Sequence, residues 1–212
     1  MKSRSEPIAD LSGRPLGQRA LHKRRLILDA TRDLLSQRGL REIRVADIAR
    51  AVPTSPASFY QYFADVEDAV LQLAQEANAP LPDLLALFEG DWRGAEGRRR
   101  ARAVVEFFMH YWDRHGPTLR VRNLAADEGD QRFMELRGRA MLPILSAMEA
   151  LMQRSGAVQK NPGLHPPAAA LAMSAILDRL AAYHRVMESD AMSHAELVDT
   201  TAQILYHTLT GK

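Results

Sequence analysis

Between Val45 and Phe63 the chain has room for two very short helices separated by a tight break. Val45, Ile48, Ala49 and Val52 stand at i, i+3, i+4 and i+7, which is one face of a two-turn helix. Val52–Thr54 interrupts that pattern. Ser55 is then placed as an N-cap, with Pro56 at the first helical position, where a missing amide hydrogen costs nothing. Phe59, Tyr62 and Phe63 are the apolar anchors of the second helix. Helices this short are marginal alone, because nucleation fixes several dihedral angles for one hydrogen bond. They need a brace, and the preceding stretch supplies one. From about Gln18, Leu26, Ile27, Ala30, Leu34 and Leu35 recur at helical spacing, and Gly39 is placed as a C′ residue with Leu40 packing back. A long helix bracing two short ones across a tight turn describes a helix-turn-helix over residues 18–65.

The rest of the chain also reads as helix. Met1 to Leu16 has no apolar period, so residues 1–17 are expected as a flexible basic arm. Residues 66–78 form a connector helix ahead of Pro80 and Pro82, the seam between the head and a body over 66–212. Helical patterns follow at 84–88, 98–115, 117–126, 130–154, 167–187 and 193–210, with breaks at Gly94–Gly97, Gly116–Pro117, Gly129 and Asn161–Pro167. Ser193 and Glu196 form a capping box before Leu197. The fold class is all-α, about nine helices, with no strand run and no repeat.

Charge is uneven along the chain. Through Phe63 there are 12 Lys and Arg against 6 Asp and Glu, and beyond it 16 against 20. A basic end on a mildly acidic body suits a polyanionic partner, although a solvated tail gives the same imbalance. The absence of cysteine excludes disulfides and thiolate chemistry. No apolar run is long enough for a membrane span, and the expected compartment is the cytoplasm.

The stretch ADIARAVPTSPASFYQYFADVEDAV, from Ala46 to Val70, resembles the signature of TetR-family transcriptional regulators. Asp47, Ile48, Ala49, Ser55, Phe59, Tyr60, Tyr62, Phe63 and Glu67 carry the likeness, which covers about residues 20–75. Pro53 stands where the family's turn usually has Gly, and Arg44 holds the usual Thr/Ser cap position. Val66 replaces a customary Lys. The resemblance implies a one-component repressor that binds a double-stranded DNA operator and dimerises through helices at about 167–187 and 193–210. It further implies a body that senses a small apolar molecule. The alternative is a DNA-binding dimer controlled by a protein partner, or an activator that needs no small ligand.

On that geometry the DNA-binding candidates are Arg44, Ser55, Ala57, Ser58, Tyr60, Gln61 and Tyr62. Gln61 can pair bidentately with adenine and Ala57 can meet a thymine methyl. The resemblance implies phosphate contacts by the Tyr60 and Tyr62 hydroxyls, with core packing as their competing role. For the ligand, Phe107 and Tyr111 share a helix face, and Met134, Met141 and Met148 repeat every seven residues. Thioethers and aromatic rings suit a cavity that adapts to an apolar guest, though such a stripe also serves as plain core. Asp178 and Tyr183, on an otherwise apolar helix, are the polar candidates for orienting the guest. The seven histidines are scattered and no metal-like cluster is evident, so neither metal nor cofactor is expected. With no phosphate loop and no nucleophile motif, an enzyme is not expected either.

Overall fold

Local signals set most helix ends. The computed structural model describes residues 8–189 and 192–212. In chain order it has α1 (Gln18–Gln37), a 3-10 turn (Leu40–Glu42), α2 (Val45–Ala51), α3 (Pro56–Phe59) and α4 (Val66–Ala77). There follow α5 (Leu81–Phe88), α6 (Gly94–Asp127), α7 (Gln131–Arg154), α8 (Ala157–Lys160), α9 (Pro166–Met187) and α10 (His194–Thr210). No strand occurs among the described residues. Ser55 caps α3 by accepting the Ser58 amide at 3.2 Å, with Pro56 at the first position. In the capping box of α10, the Ser193 amide donates to Glu196 at 2.8 Å and the Glu196 amide to the Ser193 hydroxyl at 3.3 Å.

Three local expectations are revised. Gly39 follows α1 but adopts φ −67°, an extended conformation open to any residue, so no left-handed cap ends that helix. The expected break at Gly116–Pro117 does not occur, and α6 runs through it for 34 residues. Part of proline's steric conflict in a helix is with the Cβ of the residue before it, and Gly116 has none. The buried Thr118 and Leu119 just beyond hold the helix in register. Residues 8–16 of the expected flexible arm form a turn, because the Asp10 carboxylate gathers the amides of Ser12 at 3.0 Å and Arg14 at 2.9 Å. The Leu16 amide closes the turn on the Ile8 carbonyl at 2.9 Å.

The chain divides into two compact units. The first is the chain up to Ala77 together with Pro117–Met134, and the second is Asn78–Gly116 with Glu135–Lys212. Helix 66–77, read from sequence as the start of the body, therefore belongs with the head, and α6 contributes residues to both units. The core of the first unit is built from Ile27, Leu28, Ile48, Phe59, Phe63, Val70 and Leu73, completed by Ala126 and Phe133. Arg25 adds an ion-pair tie from α1 to α4, reaching Glu76 at 2.6 Å and Asp29 at 2.9 Å.

In the second unit Phe88 and Trp92 stack with centroids 6.1 Å apart. Gly97, in the first turn of α6, lies so close to the Trp92 carbonyl and the Tyr206 ring that a Cβ there has no room. Gly97→Ala should therefore destabilise the fold by about 1–3 kcal/mol through overpacking against backbone. Denaturant unfolding of wild type and variant checks this, with equal midpoints as the contrary result.

Candidate nucleic-acid interface

A four-residue helix presents little surface unless its apolar side is anchored firmly. Phe59 is fully buried and Phe63 nearly so, their centroids 5.6 Å apart, and Arg24 lies over the Phe63 ring at 5.1 Å. With that side fixed, the rest of the turn points outward. Tyr60 is 52% exposed, packing edge-on against Phe59 at 5.7 Å. Ser55, Ala57 and Gln61 are exposed, while Ser58 and Tyr62 are half-buried. The Ser55 hydroxyl donates to that of Ser58 at 3.3 Å, and Tyr62 packs against the core of the head. Helical turns continue past α3, with the Gln61 amide on the Ser58 carbonyl at 3.3 Å and the Phe63 amide on Phe59 at 3.1 Å.

Arginine has no acceptor, so Arg44 cannot cap the α2 amides with its side chain. The reciprocal contact does the work: the Arg44 amide donates to Asp47 at 2.9 Å. The Arg44 side chain stays exposed at the start of α2. Arg50 lies 3.3 Å and Arg38 3.8 Å from the Asp47 carboxylate. Exposed Arg44 and half-buried Arg38 give the start of α2 a cationic surface suited to phosphates, Arg50 lies in its last turn, and exposed Arg41 pairs with Glu128 at 2.8 Å. Arg25 is committed to its ion pairs with Asp29 and Glu76. Sequence reasoning missed the turn at residues 8–16 as a neighbour of this surface. Its Leu11 amide donates to the Gln61 carbonyl at 3.3 Å, a link that no spacing rule reveals.

Of the ligand candidates, the fold brings Phe107 and Tyr111 together, stacked with centroids 6.1 Å apart and 18° between planes. Tyr111 is buried and its hydroxyl lies 3.4 Å from Asn78 Oδ1. Asp178 accepts the Trp112 indole N–H at 2.9 Å, and Tyr183 sits beneath the Arg179 guanidinium at 4.0 Å. The methionines differ from one another: Met148 is fully buried, Met141 half-buried and Met134 47% exposed. In the first unit an open groove of about 990 Å³ is lined by Leu35, Leu40, Val121, Leu124 and Phe133, with Arg38, Arg41 and Arg120 among its charged residues. None of the seven ligand candidates lines it. The histidines are not all scattered in space, since the rings of His184 and His194 lie 5.6 Å apart.

Two family models match the sequence. Residues 27–73 match the bacterial regulatory proteins of the tetR family, and residues 84–212 match the tetracyclin repressor-like C-terminal domain. The chain belongs to the TetR family. This TetR-family protein is a DNA-binding transcriptional regulator rather than an enzyme. Solved structures share its fold. A TetR-family regulator from a Rhodococcus species superposes with a TM-score of 0.66 at 18% identity, covering 89% of this chain and 99% of that one. The fatty acid degradation regulator FadR of Bacillus halodurans gives 0.63 at 19% identity, with 91% and 97% covered. FadR of Bacillus subtilis, in complex with stearoyl-CoA, gives 0.60 at 16% identity, with 87% and 98% covered. At these identities the likeness is one of fold. No curated protein matches the chain. No helix among the described residues is long and apolar enough to cross a membrane.

The Arg44 amide holds the Asp47 carboxyl below the usual carboxylate range, aided by the guanidinium groups of Arg38 and Arg50. A depressed folded-state pKa stabilises the fold above the unfolded value of about 4 and ceases to do so as pH falls through the folded value. Asp47→Asn should thus be less stable than wild type at pH 7, with the gap closing in acid. Urea midpoints across pH check this, and a gap that is constant with pH contradicts it.

Proposed function

We propose that this regulator is a homodimeric repressor, released from a roughly palindromic operator when a small apolar molecule binds its body. The observation that carries the dimer is the outer face of α9. Ala168, Leu171, Ala172, Ala175, Ile176, Tyr183 and Val186 are all exposed and fall on one stripe at helical spacing. Val186 is 83% exposed, and a largely apolar face of this kind, crossed by exposed Arg179, marks an interaction surface. Regulators of this family bind DNA operators and act as dimers, and a two-fold dimer sets two α3 helices against half-sites about one DNA turn apart. On α10, Leu197, Thr201 and Leu205 are buried within the chain's own unit, which leaves Ile204 exposed and Thr208 half-buried for a partner. The interface proposed here therefore rests more on α9 than on α10.

In this reading Ser55, Ala57, Ser58 and Gln61 face the bases, while Arg44, Tyr60 and Tyr62 hold phosphates. The ligand lies against Phe107 and Tyr111, with Met141 and Met148 as its adaptable wall and Asp178 as its polar contact; Met134 and Tyr183, both exposed, are the outlying members of the set. α6 carries both Phe107 and Tyr111 in the second unit and residues 117–127 in the first, so a ligand that displaces it biases the head along one continuous helix. By linkage, DNA then weakens the ligand by the same factor. Acyl-CoA thioesters and fatty acids head the list of probes, because a protein of the same fold is known in complex with stearoyl-CoA.

Thermal melting against acyl-CoA esters, fatty acids and lipophilic compounds tests the sensor. A stabilising ligand at 100-fold over its Kd adds about 2.7 kcal/mol, and it should also displace operator DNA. A panel without any stabiliser favours control by a protein partner. Leu171→Glu places a charge on the exposed α9 stripe and should give a folded monomer with much weaker operator binding. A dimer unchanged in sedimentation refutes that interface. Gln61→Ala should weaken specific binding by about 1–3 kcal/mol and relax one operator position, as read by selection from a randomised site. Unchanged preference would remove Gln61 from base readout.

A further inference from the structure

His184 and Glu188 are four residues apart at the C-terminal end of α9, so their side chains leave the same face of the last turn. The turn is closed, with the Glu188 amide donating to the His184 carbonyl at 2.9 Å. Ser189 and Met192 pair across the reversal that follows, and this brings His194, the first residue of α10, back against the same turn. His184, Glu188 and His194 each offer one ligand atom, and those atoms all lie within 4.8 Å of one another. Glu188 Oε1 and His194 Nδ1 are already at 2.8 Å.

The His184 ring is oriented as a metal ligand's is. It is 4% exposed, and its Nδ1 lies 2.9 Å from the Ala181 carbonyl. A carbonyl accepts only, so the proton is on Nδ1, and Nε2 turns its lone pair elsewhere. Nε2 faces Asp113 Oδ1 at 3.3 Å. A lone pair facing a carboxylate oxygen is favourable only when a cation, either a proton or a metal ion, lies between or beside them. A ring N–H held by a backbone carbonyl, with the other nitrogen facing a carboxylate, matches the outer-shell arrangement of ligating histidines.

We infer that His184, Glu188 and His194 form a binding site for a divalent transition metal of the zinc class at the α9–α10 turn. Two imidazoles and a carboxylate are the donor set that zinc takes with three protein ligands, leaving a fourth position open. Asp113 is the adjacent carboxylate, but Arg185 Nε already donates to it at 2.6 Å, so the three-residue set is primary. Tetrahedral bonds of about 2.0–2.1 Å place ligand atoms roughly 3.3 Å apart, so an ion draws the group inward by about an ångström. That movement is available, because His194 is about half exposed and Glu188 lies in the turn. Bound metal ties the end of α9 to the start of α10.

The test is titration of Zn²⁺ into the full chain, prepared without a histidine tag, by calorimetry and by thermal melting. The expected result is one equivalent bound and a melting temperature that rises with Zn²⁺. His194→Ala and Glu188→Gln should each lower affinity by about tenfold or more and abolish the melting shift, with helical content unchanged. Both sites are at least partly exposed, and the His194 substitution leaves the Ser193–Glu196 capping box in place. His22→Ala, at an exposed position of α1, should bind as wild type does. Absence of saturable binding at one equivalent overturns the site. Zn²⁺ affinity unaltered in His194→Ala overturns it equally, by placing the metal elsewhere.

Discussion

Helix α3 is four residues long, and its serine cap and N1 proline alone are too little to hold it in shape. Helix nucleation is unfavourable, and one turn forms only when burial outweighs the loss of backbone freedom. Phe59 and Phe63 supply that burial by inserting between α1, α2 and α4, and the other features of the head follow from it. Because those two rings are fixed, Ser55, Ala57, Tyr60 and Gln61 emerge on the opposite side at defined positions. Around those rings Ile27 and Leu28 of α1 and Val70 and Leu73 of α4 are buried in the same core, and Arg25 ties the two helices through Glu76. The short helix is thus a surface feature of the core beneath it, which suits a reader that must keep its geometry on contact with DNA.

A second constraint is the length of α6. This 34-residue helix contributes residues to both compact units. Its proline at position 117 removes one backbone hydrogen bond at the point where the helix passes from one unit to the other. A helix with one missing bond bends there at lower cost than elsewhere, and the buried Thr118 and Leu119 just after it fix the far side. This gives the proposed ligand response a physical location.

The sites differ in how far they were legible. The exposed side of α3 follows from local rules, since the capping serine, the proline at N1 and two phenylalanines four apart fix which side points out. The arm turn at Asp10 and its link to Gln61 were not legible, because a hydrogen bond between a distal amide and a backbone carbonyl carries no side-chain signature. The apolar stripe of α10 was misleading in another way. Periodicity shows that a face is buried, but not whether its own unit or a partner covers it, and Leu197, Thr201 and Leu205 pack inward. The seven-residue methionine pattern is equally silent on burial, with Met148 in the core and Met134 at the surface.

The sequence by itself determined the all-α class, the helix-turn-helix and most helix ends. These depend on hydrophobic period, capping and proline placement, which act within a few residues. Only the tertiary structure decided that α6 passes unbroken through Gly116–Pro117, that helix 66–77 joins the head, and that His184, Glu188 and His194 converge. Each of these depends on which surfaces the chain buries together, and burial is settled by residues far apart in sequence.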